Sequence, residues 1–135
     1  MRIEQALFTY LSTAVPLVTS RIYPVEAPQG ASTPYIVYSK VSNQRSYSHS
    51  GAGKMCKPRF QFSIYSTAYF DGKAIAEQLQ TALEAYTGTM GGTTGTRVQG
   101  TFYVNELDMA DNAVEGFNAD DLHCVVCDYF IQHYE

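Results

Sequence analysis

The stretch from Pro58 to Tyr86 constrains this chain most, because its hydrophobic period changes partway along. Phe60, Phe62 and Ile64 alternate with Arg59, Gln61 and Ser63, and a period of two predicts a strand with one buried face. Ile75, Leu79, Ala82, Leu83 and Tyr86 then follow at i, i+4, i+7, i+8 and i+11, one stripe of an amphipathic helix. Thr67, Asp71 and Gly72 supply capping and turn chemistry between the two. Burying each large side chain of these stripes is worth roughly 1.5–3 kcal/mol, whereas ordering the backbone costs about 1–2 kcal/mol per residue. The unit therefore needs further strands beside it and a second helix to cover it.

The rest of the chain offers those elements. Ile3, Ala6, Leu7, Tyr10, Leu11 and Ala14 recur at helical spacing, and Pro16 ends that helix. Pro24, Pro28 and Pro34 enforce an extended, turning path. Tyr35–Ser42 is a β-branched and aromatic run that predicts a strand. Asn43–Lys57 is polar, carries Gly51 and Gly53, and is either a long loop or two strand extensions joined at Ser50–Gly53 as an arm. Beyond Tyr86, a short strand near Gly88–Met90 and a turn at Gly91-Gly92 or Thr94-Gly95 lead into a strand in which Val98, Phe102 and Val104 alternate with Gln99, Thr101 and Tyr103. Asn112–Asp121 is an acidic loop, and Val125, Cys127, Tyr129 and Ile131 share one face of a last strand. The fold expected is α+β: an antiparallel sheet of four to five strands, two helices on one face, and a long loop or β-arm between strands two and three. With 135 residues the chain is read as one domain, 1–135.

Charge narrows the functional classes. The net charge of −4 argues against a dedicated nucleic-acid binder. The charges are also segregated. Every charged residue between Ala27 and Phe70 is basic, namely Lys40, Arg45, Lys54, Lys57 and Arg59. Every one after Arg97 is acidic, from Glu106 to Glu135. Such asymmetry is either two solvated surfaces or the two halves of a head-to-tail contact between identical subunits. Charged residues are sparse at 16% while Tyr is abundant at 11, which suits either a surface partly covered by neighbours or Tyr used as a strand residue. No stretch is apolar enough to span a membrane. Thr9, Ser12 and Thr13 interrupt the amino-terminal apolar run, so it does not read as a signal peptide. Three cysteines fit a reducing compartment better than a disulfide framework.

No motif assembles a catalytic or metal site. Gly51-Ala52-Gly53-Lys54 resembles the end of a phosphate-binding loop, but Ser48 stands where that loop needs glycine and Met55 where it needs Ser or Thr. Cys124 and Cys127 have CxxC spacing, yet an offset of three on a strand points them to opposite faces, so they read as buried small hydrophobes. His49, His123 and His133 share no ligand spacing, and no serine lies in a nucleophile elbow. The expectation is a protein without catalysis, metal or cofactor.

Taken in order, several pieces carry a resemblance: the helix EQALFTYLSTA, Arg21-Ile22-Tyr23-Pro24, Ala27-Pro28-Gln29-Gly30, Pro34-Tyr35-Ile36-Val37-Tyr38, a polar loop, QFSIYSTAYFDGKAIAEQLQTAL, and Asp128-Tyr129-Phe130. The chain resembles the tail completion family of long-tailed bacteriophages, the tail terminator or tail-to-head joining proteins. Two segments depart from that pattern, the long Gly- and Thr-rich Thr87–Thr96 and the acidic Asp111–Asp121. The resemblance implies a structural protein of the virion neck, assembled in the host cytoplasm. It forms a ring, commonly a hexamer, on the head-proximal end of the tail tube, stops tube polymerisation and joins tail to head. Its partners would be its own copies, the tube protein and a head completion or connector protein, with DNA passing through the lumen unbound. Another neck component, such as a head–tail adaptor or head completion protein, is the alternative. For the contacts, Arg45, Tyr47, His49, Lys54 and Lys57 in the arm and Asp111, Glu115, Asp120 and Asp121 in the acidic loop are the candidate interface residues, since Tyr and Arg dominate interface hot spots.

Overall fold

A computed structural model describes residues 2–46, 55–110 and 123–134. In it the Pro58–Tyr86 unit is a strand followed by a helix at the centre of an α+β fold. The order is α1 (Ile3–Ala14), a 3-10 turn (Pro16–Val18), β1 (Ile22–Pro24), β2 (Tyr35–Ser46), β3 (Met55–Ser66), α2 (Tyr69–Leu83), β4 (Gly88–Met90), β5 (Thr96–Ala110) and β6 (His123–Tyr134). The strands form one sheet in the order β1-β2-β3-β6-β5-β4.

Both helices cover the same sheet face. Phe60, Phe62 and Ile64 of β3 and Val125, Cys127, Tyr129 and Ile131 of β6 are buried beneath Leu7 and Leu11 of α1 and Ile75, Leu79 and Leu83 of α2. The helices are tied together by the Tyr10 hydroxyl, which donates to the Ala82 carbonyl at 2.7 Å, and by Tyr10 packing on Tyr86 at 4.8 Å between ring centroids. Phe62 sits centrally, 6.4 Å from Tyr38, 6.3 Å from Phe60 and 6.0 Å from Tyr129.

The sheet corrects the expected architecture. It has six strands and is mixed, because β1 runs parallel to β2 with Ile22 opposite Ile36. A three-residue strand shows no period to read. The proline-containing path after it carries the chain back to start β2 alongside β1, where a hairpin would have reversed it. Strand β5 also runs on to Ala110 and pairs with β6 as far as His123.

One local expectation changes, the cap of α2, whereas the short strand β4 and its glycine turn into β5 are as expected. The residue preceding α2 is Ala68, with no side-chain cap. Instead the Ser66 hydroxyl donates to the Ala68 carbonyl at 2.8 Å, and Gly72 lies in the first turn so close that a Cβ there would stand 2.8 Å from the Ser66 Oγ. Between β4 and β5, Gly91 and Gly92 both take positive φ, and Gly95 admits no side chain because a Cβ would meet the Met90 carbonyl oxygen at 1.9 Å.

Bulges decide which face each strand residue occupies. One at Val41 shifts the β2 register between Lys40 and Ser42. Two in β5 shift it between Val98 and Gly100 and between Tyr103 and Asn105. The β5 stripe expected to be Val98, Phe102 and Val104 is therefore broken. Val98 and Thr101 are buried, while Phe102 is 49% exposed on the opposite face.

Candidate assembly interface

Of the candidate interface residues, Arg45 and Lys57 are described. Tyr47, His49, Lys54, Asp111, Glu115, Asp120 and Asp121 lie outside the described residues. The described part of Asn43–Lys57 takes the form of strand extensions: β2 continues to Ser46, β3 begins at Met55, and the two pair from end to end.

Arg45 and Lys57 sit at neighbouring register positions, yet on opposite faces. Lys57 pairs with Gln44 on the face away from the helices, and its ammonium lies over the Phe130 ring at 4.9 Å and the Phe102 ring at 5.5 Å. Arg45 pairs with Cys56, a buried residue of the helix-side face. The Val41 bulge is responsible, because strict alternation from Lys40 would have sent Arg45 to the other face.

On the helix side, that shift places Arg45 in a cleft of about 510 Å³ with Arg2, Lys40 and Arg97. The cleft lies between the amino-terminal end of α1, the β2–β3 extension and the adjoining ends of β5 and β6. Glu4 reaches into the same group, with its Oε1 2.8 Å from the Lys40 ammonium and its Oε2 3.5 Å from Arg2. Burial pushes the Glu4 carboxyl up, but hydrogen bonds from Lys40 and from its own backbone, with the Lys40 and Arg2 charges, leave it below its ordinary value. Arg2, Lys40 and Arg97 were not candidates from sequence, because three separate segments bring them together.

The opposite face of the sheet carries no helix among the described residues. Phe102, Leu107 and Met109 of β5 are about half exposed there. Tyr23, Tyr35 and Tyr65 form an aromatic row with centroid distances of 6.0 and 5.1 Å. Between these groups, Arg59 donates to Asp128 from Nε at 3.0 Å and from Nη2 at 2.5 Å.

Part of the charge segregation closes within one copy. Arg59 meets Asp128, and Lys73 of α2 meets Glu106 and Asp108 of β5. Hydrogen bonds to Asp108 and Glu106 hold the Lys73 ammonium well above the usual lysine range against the opposing effect of burial. Lys73 and Tyr69 hold the Asp108 carboxyl below its usual range. Cys127 lies in the core, where burial and the neighbouring Glu106 push its thiol up to about 12, so it is a poor nucleophile. Among the described residues, no three His, Cys, Asp or Glu side chains are grouped to hold a metal ion, and no helix is long and apolar enough to cross a membrane.

Among the described residues the surface patches are charged, aromatic and apolar. The chain belongs to the family described as tail completion protein gp17, whose model matches residues 5–129. It is a phage tail structural protein. Its fold is similar to that of a chain in the virion of a native gene transfer agent particle, at 16% identity and a TM-score of 0.62, over 92% of this chain and 86% of that one. Among curated proteins nothing matches.

Proposed function

We propose that this chain forms a ring, a hexamer by the family resemblance, that caps the head-proximal end of the tail tube. There it stops tube polymerisation and offers its other side to a head completion or connector protein. DNA passes through the lumen without specific binding, and the ring assembles in the host cytoplasm. The family match over residues 5–129 carries this reading. The charged cleft and the aromatic and apolar patches of the helix-free face support it as surfaces for subunit and tube contacts. The assay is electron microscopy of particles made without the chain. Tubes of unregulated length or tails detached from heads are expected. Normal particles would overturn the proposal.

The arm between β2 and β3 is proposed as one contact element. Lys54→Glu with Lys57→Glu would reverse two of its three positive charges and remove the cation–π contacts of Lys57 with Phe102 and Phe130. Tail assembly scored by infectious titre is expected to fall. An unchanged titre would remove the arm from the interface.

A further inference from the structure

Both outer strands cover the sheet over only part of its length. β1 pairs with β2 at Ile36, Val37 and Tyr38, and β4 pairs with β5 at Thr96, Arg97 and Val98. Among the described residues, no strand lies along the outer edge of 39–44 in β2 or of 100–109 in β5. Exposure agrees with that. Residues 41–44 are exposed, as are Phe102, Asn105, Leu107 and Met109, whereas β3 has no exposed residue and β6 none before Tyr134. Each run therefore turns a row of backbone N–H and C=O groups outward, the template on which a further strand adds. The Glu106 amide is an exception, since it donates to the Asn105 Oδ1 at 2.9 Å.

We propose that the open run of β5 pairs with the open run of β2 in a second copy of this chain, so that one sheet continues from copy to copy. The proposal rests on the self-assembly reading above. Direction, length and height all select this occupant. β2, β3, β6 and β5 are successively antiparallel, so β2 and β5 run in opposite senses. A copy added with its helices on the same side therefore brings β2 against β5 as an antiparallel pair. Residues 39–44 fit within 100–109 without meeting β1 or β4. Ser42, Arg59, Phe130 and Phe102 form one row across the sheet and so set the level. Level pairing between copies would drive the end of β2 at Ser46 into β4 beside Thr96–Val98. The incoming β2 must slide away from β4, which brings Ser42 beside Asn105. That slide is about 10 Å along the strand, over four strand spacings that total about 19 Å. The strands then tilt by roughly 30°, and closing a sheet on itself requires tilt and stagger of this kind. A joint made from two different edges is heterologous, the class that closes into rings.

The test is disulfide cross-linking in assembled tails. Ser42 and Asn105 both lie on the helix-free face and both are exposed. Within one copy they are more than about 14 Å apart, three strand spacings, which is beyond the reach of a disulfide. The native cysteines are buried, so a new bond must join two copies. After mild oxidation, Ser42→Cys/Asn105→Cys should give a ladder of covalent oligomers on a non-reducing gel. Ser42→Cys/Phe102→Cys and Ser42→Cys/Leu107→Cys bracket the register, and one pair of the three should dominate. Ser42→Cys mixed with Asn105→Cys should stop at covalent dimers, and each single variant alone should stay uncross-linked. Dimers from one single variant alone would mean two-fold pairing of like edges and would overturn the joint. If none of the three pairs cross-links in tails whose reconstruction shows a ring of this chain, the inference falls alone. A chain present in the neck as a single copy would overturn the self-assembly reading together with the joint.

Discussion

Gly72 and Ser66 should be strongly coupled, and the sign of the Gly72→Ala effect should depend on residue 66. Alanine in a helix is ordinarily favoured over glycine by about 1 kcal/mol. At position 72, however, the added methyl would stand 2.8 Å from the Ser66 Oγ, while the Val125 methyl at 3.5 Å is an ordinary contact. Ser66 is 1% exposed, so its hydroxyl can yield only by rotating away from the Ala68 carbonyl it now meets at 2.8 Å. Losing that hydrogen bond and leaving a buried hydroxyl unpaired costs about 2 kcal/mol. Gly72→Ala should therefore destabilise the protein by about 1 kcal/mol. In a Ser66→Ala background the obstruction and the hydrogen bond are both gone, so the same substitution should stabilise by about 0.5–1 kcal/mol. The coupling expected from urea unfolding of the four proteins is about 2 kcal/mol. A Gly72→Ala effect equal in both backgrounds would refute the reasoning.

Arg59→Met should cost about 2 kcal/mol, because it leaves the largely buried Asp128 carboxylate without its guanidinium. Arg59→Met with Asp128→Leu should recover most of that, and a double variant as unstable as the sum of the singles would refute the pairing argument. Glu4 has a folded-state pKa below its ordinary value near 4.5. Its contribution is therefore present above the unfolded pKa and is lost as pH falls through the folded one. Glu4→Gln should flatten that part of the acid limb in urea midpoints taken between about pH 6 and pH 3, and an unchanged slope would contradict the Lys40 contact. Native protein at pH 8 should resist iodoacetamide at Cys56, Cys124 and Cys127, all buried. Mass spectrometry should find all three labelled only after unfolding.

What the sequence revealed follows from how far each signal reaches along the chain. The 3.6-residue stripes of α1 and α2 and the alternation in β3 and β6 are local, and each maps onto buried residues. The opposed Cys124 and Cys127 follow from strand parity alone: Cys127 faces the helix-side core, while Cys124 pairs with Tyr65 and Met109 on the other face. Parity fails at bulges, which insert one residue without a sequence mark. The Val41 bulge therefore hid that Arg45 belongs with Lys40, and the β5 bulges hid that Phe102 faces away from the core. Strand β1 was too short for a period, and its pairing depends on the path between Pro24 and Pro34. The basic cleft was invisible because Arg2, Lys40 and Arg97 come from the residue preceding α1, from β2 and from β5. The segregation of charge was legible, but the ion pairs of Arg59 with Asp128 and Lys73 with Glu106 and Asp108 close part of it within one copy.

The most direct measurement is an electron-microscopy reconstruction of the particle neck with this chain traced in the density. The account predicts a closed ring of this chain on the last layer of the tail tube. Density that places the chain in the head connector stack, or a particle that lacks it, would contradict the account.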